Sequence, residues 1–411
     1  MIPCGACEQA SNDECERCAT MAKKLAAVFL AAVMMFAAAA PVFAEDEADL
    51  TALETAAAAD DSLPARSAIL IEQNTGRVLF EKNADEQLPP ASITKVMTLL
   101  LVMEALDSGQ ITLGDMVTCS EHAQSMGGSQ IWFKTGEQLS VDDLLKAAAI
   151  SSANDASVAL AEHVAGSEEA FVALMNEKAA QLGMTNTRFV NATGLDADGH
   201  LTTARDIAAM SRALLAYPKI TEYSGTWMSE LRGGATQLVN TNKLVRFYDG
   251  CTGLKTGTTD GAGSCLSASA ERGGLSLIAV TLGSPTSAER FSAARGLLDY
   301  GFANYTRVEL PPLEELAPVP VRGGVAPQVG VLSETPGAVI VRTADKDAVE
   351  QDVTLLPDVQ APVETGQLLG RVVVHIGGSK LCEYDLVAAD AVERMTAPRA
   401  LCMLLRALVQ L

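Results

Sequence analysis

Ser92 and Lys95 stand three positions apart in Pro89-Pro90-Ala91-Ser92-Ile93-Thr94-Lys95, at the head of an apolar run from Val96 to Leu106. Residues at i and i+3 share a helix face, so a helix beginning near Ser92 sets the lysine beside the serine hydroxyl. The prolines can precede such a helix but not continue it, and Asp107-Ser108-Gly109 closes it. A serine is a weak nucleophile until a base takes its proton, and lysine at its ordinary pKa of about 10.4 is no base at neutral pH. Burial changes that, because desolvation disfavours the ammonium form. The run is apolar nearly all round, as in a helix inside a domain, and its N-terminus brings unpaired N–H groups close to Ser92. On its own, S-x-x-K reads more readily as a helix-capping serine and a lysine reaching for water.

Two further groups shift that balance. Ser151-Ser152-Ala153-Asn154-Asp155-Ala156 joins a helical pattern over Val141 to Ile150 to another over Val158 to Val164, so Ser152 and Asn154 occupy a junction that can aim a hydroxyl and an amide into a cleft. Later, Gly253-Leu254-Lys255-Thr256-Gly257-Thr258-Thr259, the turn Asp260-Gly261-Ala262-Gly263 and the run Ser264 to Ala270 read as a hairpin. Lys255 and Thr256 offer a cation and a hydroxyl to an anionic group, and Gly257 lets a substrate approach the strand backbone.

The ordered set S-x-x-K, S-x-N, K-T-G resembles the penicillin-interacting serine enzymes. More closely, Pro90 to Lys95, Ser152 to Ala156, Asn191-Ala192-Thr193-Gly194-Leu195 ending in Gly199-His200, and Asp249 to Thr259 resemble the low-molecular-mass D-alanyl-D-alanine carboxypeptidases. The resemblance covers about Ala65 to Tyr305 strongly and, more loosely, the remainder, which is similar to that family's small C-terminal domain. It implies an α/β (α+β) catalytic domain of the serine β-lactamase/DD-peptidase type, an antiparallel sheet flanked by helices, followed by a small all-β domain. It also implies that Ser92 attacks the carbonyl of the penultimate D-alanine with Lys95 as proton acceptor, and that Ser152 relays a proton to the leaving amine. Asn154 would then hold the substrate peptide, and Lys255 and Thr256 the terminal carboxylate, with Gly257 beside them. The N–H groups of Ser92 and Thr258 would form the oxyanion hole. The implied substrate is a peptidoglycan stem peptide ending in D-Ala-D-Ala, β-lactams are the implied covalent inhibitors, and neither metal nor organic cofactor enters the scheme.

Other chemistries fit less well. A class A β-lactamase uses a glutamate in an E-x-x-x-N setting between S-D-N and K-T-G. Here Glu168, Glu169, Glu177, Glu222 and Glu230 are followed four residues on by Val172, Ala173, Gln181, Thr226 and Gly234, and Ser152-Ala153-Asn154 lacks the central Asp. A wall-binding module with a dead site is not required, because all three elements keep their reactive residues. Lys134-Thr135-Gly136, a second K-T-G, precedes Ser152 and reads as a structural turn. His122, His163, His200 and His375 are too scattered for a metal pair or a Ser-His-Asp set, though His200, in its Gly-rich loop, is placed for positioning.

The elements that must hold these groups follow from pattern and composition. Ala68 to Glu72, the turn Asn74-Thr75-Gly76 and Arg77 to Phe80 predict a β-hairpin. Nine of the 16 prolines fall between Pro311 and Pro398, among short runs such as Ala338 to Val341 and Arg371 to Ile376, which predicts a separate β domain. The expected division is 62–305 catalytic and 306–397 β. With 411 residues, 48% of them hydrophobic, the chain can bury a sizeable core. Its formal charge of −21 argues against nucleic acid as a partner.

Lys23 and Lys24 precede an apolar stretch from Leu25 to Ala40 and then Val42-Phe43-Ala44, so 21–44 read as an export signal, which places the mature protein outside the bacterial cytoplasm. Residues 1–20, with Cys4-x-x-Cys7 and Cys15-x-x-Cys18, read as an over-extended start rather than a zinc site, and 45–61 as a flexible acidic lead. At the other end, 399–411 is too short to span a bilayer. It is expected either to lie in the headgroup layer as an amphipathic anchor or to pack on the β domain.

Overall fold

The computed structural model describes residues 63–313 and 316–409; the expected leader, its four upstream cysteines and the acidic lead lie outside the described residues. The expected hairpin forms as β1 (Ser67–Glu72) and β2 (Val78–Lys82), antiparallel, with Leu70 opposite Phe80. The buried Glu72 carboxylate shapes their turn by accepting from the backbone N–H groups of Asn74 and Thr75 and from the Thr75 hydroxyl.

The K-T-G hairpin forms β3 (Cys251–Thr259) and β4 (Gly263–Arg272), joined by β5 (Leu275–Ser284) in a five-stranded antiparallel sheet of order β2-β1-β5-β4-β3. Alternate residues of β1 divide between the two faces, as the strand period requires. Ile69 and Ile71 join the main core, whereas Leu70 meets Gly301 of the long helix α6 (Ser287–Asn304), where a Cβ would stand 3.0 Å from Leu70 Cδ2.

The main core is built by α1 (Lys95–Asp107), α2 (Val141–Ile150), α3 (Asn154–Ala165), α4 (Glu168–Gln181) and α5 (Ala204–Leu215). The all-round apolar pattern of α1 has its expected consequence: from Lys95 to Met103 every residue is buried. Side chains cap α2, α4 and α5 in turn: Ser140 accepts from Asp143 N, Ser167 from Ala170 N and Thr203 from Asp206 N.

Beyond α6 the chain is β-rich, with β6 (Tyr305–Glu309) running directly from the helix. It continues through β7 (Val319–Arg322), β8 (Gln328–Val329), β9 (Val331–Ser333), β10 (Ala338–Arg342), β11 (Val349–Leu355), β12 (Val359–Gln360), β13 (Leu368–Ile376) and β14 (Ser379–Ala388). They assemble as β6-β10, β8-β7-β12 and β9-β14-β13-β11 around small cores of Val, Leu and Ala. Arg77 ties this region to the first hairpin by donating to the Ile340 carbonyl at 2.7 Å. The last helix, α7 (Ala397–Val409), leaves Leu401, Met403 and Leu405 exposed, and no described helix is long and apolar enough to cross a membrane.

Candidate active site

The helix expected near Ser92 begins as a 3-10 turn, Ala91–Thr94, that feeds α1 at Lys95. The turn is held against β3 by the absence of a side chain at Gly257, where a Cβ would stand 3.0 Å from each of Pro90 O, Ala91 Cβ and Ser92 N. The glycine of K-T-G is therefore needed for the strand to approach the serine's own turn, a closer constraint than the substrate approach expected of it. On the opposite side, Gly194 at φ +87° lies so close to Ala91 that a Cβ would meet its carbonyl oxygen at 1.8 Å.

Lys95 is fully buried, and its Nζ makes three hydrogen bonds: 3.0 Å to Ser92 Oγ, 2.6 Å to Asn154 Oδ1 and 2.7 Å to the Thr193 carbonyl. Burial pushes its pKa well below the ordinary lysine value. The nearby Lys255 adds to the depression, and Asp155 opposes it. Asn154 Nδ2 donates to Gly127 O at 2.6 Å, which turns its carbonyl toward Lys95, and the Thr193 carbonyl can only accept. Asn154 and Thr193 thus orient the nitrogen so that its third direction faces Ser92 Oγ.

The Thr193 carbonyl is delivered by a loop fixed both from within and from two helices. Asn191 Oδ1 accepts from Thr193 N and from Gly194 N, Thr98 Oγ1 on α1 donates to Ala192 O at 2.7 Å, and Glu168 accepts from Ala192 N at 2.9 Å. His200, at the loop's end, is buried. Its Nδ1 accepts from Val190 N at 2.9 Å, which leaves Nε2 to carry the proton toward Thr94 Oγ1 at 2.8 Å, while Thr94 donates to Ala91 O. Burial lowers its pKa to about 4, so it is a neutral prop of the serine's turn.

Ser152 lies at the α2–α3 junction, 5% exposed, with φ +63°, a strained conformation for a residue with a Cβ. It is not among the partners of Lys95, so the relay expected of it needs the substrate or a shift of the side chain. Asn154, expected to hold the substrate, has both ends of its amide engaged, by Lys95 and by Gly127. Its neighbour Asp155 accepts from Ile131, Phe133 and Ala156 N–H groups, and so fixes the segment that carries the exposed Trp132.

On β3, Lys255 is 1% exposed. Burial lowers its pKa to about 7, and the Arg290 cation adds to the shift. Thr256 donates to the Thr241 hydroxyl at 2.7 Å. Arg290, from α6, donates to the Gly257 carbonyl at 2.8 Å and to the Thr258 hydroxyl at 2.7 Å, bracing the strand from behind. Lys134 of the second K-T-G is exposed, and the backbone N–H groups of Lys134 and Gly136 serve a turn closed on Glu137 and Cys119. A cleft of about 410 Å³ opens beside the serine's turn, lined by Pro90, Ala91, Gly194, Asp196, His200 and Gly261.

Ser92, Lys95 and Asn154 are thus joined by hydrogen bonds, and β3 is packed against Ser92. Sequence reasoning gave Thr193, Thr98, Glu168, Thr241 and Arg290 no part in the site. Only the Asn-x-x-Gly pattern at 191–194, an Asx turn ahead of a left-handed glycine, left a signal that could have located one of them.

Comparison with known proteins supplies an independent view. Residues 54–286 match the D-alanyl-D-alanine carboxypeptidase family, and residues 314–394 match the C-terminal domain of penicillin-binding protein 5. The D-alanyl-D-alanine carboxypeptidase DacF of Bacillus subtilis is 40% identical over 380 residues, covering 90% of this chain and 95% of that protein. Among solved structures, penicillin-binding protein 5 of Haemophilus influenzae superposes with a TM-score of 0.73 at 30% identity, over 81% of this chain and 98% of that one. Penicillin-binding protein D2 of Listeria monocytogenes, solved in an ampicillin-bound form, gives 0.54 at 35% identity, over 59% and 98%.

Proposed function

The chain belongs to the D-alanyl-D-alanine carboxypeptidase family of serine hydrolases, and from that we propose that Ser92 is the nucleophile and Lys95 its base in removing the terminal D-alanine from peptidoglycan stem peptides. The observation that carries this reading is the fully buried Lys95 amine, its pKa lowered by burial, set 3.0 Å from Ser92 Oγ by Asn154 and the Thr193 carbonyl. The serine oxygen adds to the carbonyl carbon of the penultimate D-alanine as its proton passes to Lys95. The oxyanion is received by the N–H groups of Ser92 and Thr258, donors worth about 3 to 4 kcal/mol each in serine hydrolases. Collapse breaks the peptide bond, Ser152 gives its proton to the departing amine and is reprotonated from Lys95, and D-alanine leaves with the base returned to its neutral form. Water then cleaves the acyl ester and returns the proton to Ser92. Lys255 and Thr256 receive the terminal carboxylate.

A β-lactam acylates Ser92 by the same attack, its ring C–N bond breaking while the freed amine stays tethered to the acyl group, a reading supported by the ampicillin-bound form of the Listeria relative. Action outside the cytoplasmic membrane follows from the cell-wall substrate and from the export signal. We assign α7 to the membrane surface: Leu401, Met403 and Leu405 are all more than half exposed, and Arg399 beside them can meet lipid phosphate.

The test is paired. Full-length protein should label stably with a fluorescent penicillin and release free D-alanine from an acyl-D-Ala-D-Ala peptide, and Ser92→Ala should do neither. Rapid turnover of the penicillin would make it a β-lactamase, and no labelling with no D-alanine release would make it a binding module. Truncation before Ala397 should move the protein out of the membrane fraction with its labelling intact.

A further inference from the structure

Behind the base, one carboxylate is built into the loop that supports it. Glu168, the first residue of α4, directs Oε1 to the backbone N–H of Ala192 at 2.9 Å and Oε2 to His122 Nε2 at 2.6 Å. Ala192 is held at its other end by Thr98, and the next carbonyl along, that of Thr193, takes the Lys95 proton at 2.7 Å. The Glu168 side chain is 12% exposed and that of His122 46%, so the pair runs from the surface to within one peptide of the base's partner.

We propose that Glu168, clamped by His122, is a positioning residue for the general base: it fixes the 191–192 peptide, and with it the loop that brings the Thr193 carbonyl to Lys95, so that the amine is held beside Ser92. This rests on Lys95 being the base. Both anchors on Ala192 are needed, because Thr98 alone fixes the 192–193 carbonyl and leaves the loop free to pivot about it. The charged groups facing the His122 imidazole are Glu168 and Glu169 from α4 and Glu162 from α3. The Glu168 hydrogen bond is the main cause that raises the His122 pKa above its ordinary value, so the clamp is ionic in weakly acidic medium and relaxes to a neutral hydrogen bond as pH rises.

The experiment measures the acylation rate constant and the pre-acylation affinity of a labelled penicillin on the full chain, across pH, for the unmodified protein, Glu168→Ala, Glu168→Gln and His122→Ala. Glu168→Ala should lower the rate constant by about 10- to 100-fold, the scale of a misplacement near 1 Å, with affinity unchanged within about two-fold. Glu168→Gln, whose amide oxygen still accepts from Ala192, should recover most of it. His122→Ala should lose several-fold and flatten the decline with rising pH. An unchanged rate in Glu168→Ala, or equal losses in Glu168→Ala and Glu168→Gln, overturns the proposal. Should Glu168→Ala not fold, His122→Ala at its half-exposed position decides, and an unchanged rate there overturns it. Absence of labelling in the unmodified protein would instead sink the Ser92–Lys95 reading itself.

Discussion

Gly194→Ala isolates how much of the site depends on one close approach. The added Cβ would stand 1.8 Å from the Ala91 carbonyl oxygen and 2.9 Å from Ser92 N, so the loop or the serine's turn must yield by more than about 1 Å to reach even a short van der Waals contact. Either movement changes a distance that the chemistry needs, since Gly194 follows the carbonyl bonded to Lys95 and Ala91 precedes the nucleophile. The left-handed backbone at φ +87° costs about 1 to 2 kcal/mol for any residue with a Cβ, and relieving the clash about 1 to 3 more, so a stability loss of about 2 to 5 kcal/mol is expected. A displacement near 1 Å corresponds to a fall of about 100-fold in acylation rate. Gly199→Ala is the matched control: the same loop, φ +76°, and nothing within 4 Å of its Cβ. It should show the backbone cost alone and acylate within about three-fold of the unmodified protein. Urea unfolding with penicillin acylation reads both quantities. Equal behaviour of the two variants would refute the claim that contact with Ala91 sets the site.

Two other outcomes follow from charge. Because Lys255 has a pKa of about 7 in the free enzyme, its cationic fraction falls as pH rises through that value; KM for a peptide with a free terminal carboxylate should climb above about pH 7, approaching ten-fold per unit, while the peptide amide shows no such climb. A flat KM for both would show that Lys255 does not receive the carboxylate. Lys134→Ala should acylate within about two-fold of the unmodified protein, because that exposed residue serves only its own turn; a large loss would promote the second K-T-G to a functional role.

What the sequence made legible was whatever is encoded locally. The S-x-x-K spacing predicted a helical turn that sets Lys95 beside Ser92, and alternating and apolar runs predicted the hairpins and the buried α1, because strand and helix periods leave a mark within a few residues. What stayed hidden is encoded between segments. The third partner of Lys95 is a backbone carbonyl, which any residue at position 193 would supply. Asn154 reads as a hydrogen-bonding group with no addressee until the fold places Lys95 at one end of its amide and Gly127 at the other. Gly257 reads as room for a ligand, and only the packing of β3 on the 3-10 turn shows that its missing side chain makes room for Pro90, Ala91 and the backbone of Ser92. Glu168 entered as a carboxylate without the pattern of a hydrolytic base, and Arg290 as one of several charges on a helix. Their partners lie 24 and 33 residues away, beyond any local period.

The order of the causes acting on Lys95 matters more than their sum. Lys255 and Arg290 are buried cations near one another, and the carboxylate that reaches Lys95 electrostatically, Asp155, is occupied with three backbone N–H groups. On the proposed function, a terminal carboxylate arriving at Lys255 restores the ammonium form there by pairing with it. Had the low pKa of Lys95 come chiefly from repulsion by Lys255, that same carboxylate would cancel the repulsion and return the proton to the base at the moment of binding. Burial is instead the larger cause, and a bound peptide covering the cleft removes more water from around the amine. The charge that selects the substrate and the desolvation that arms the base are thus supplied by different parts of the site, so occupying the first does not disarm the second.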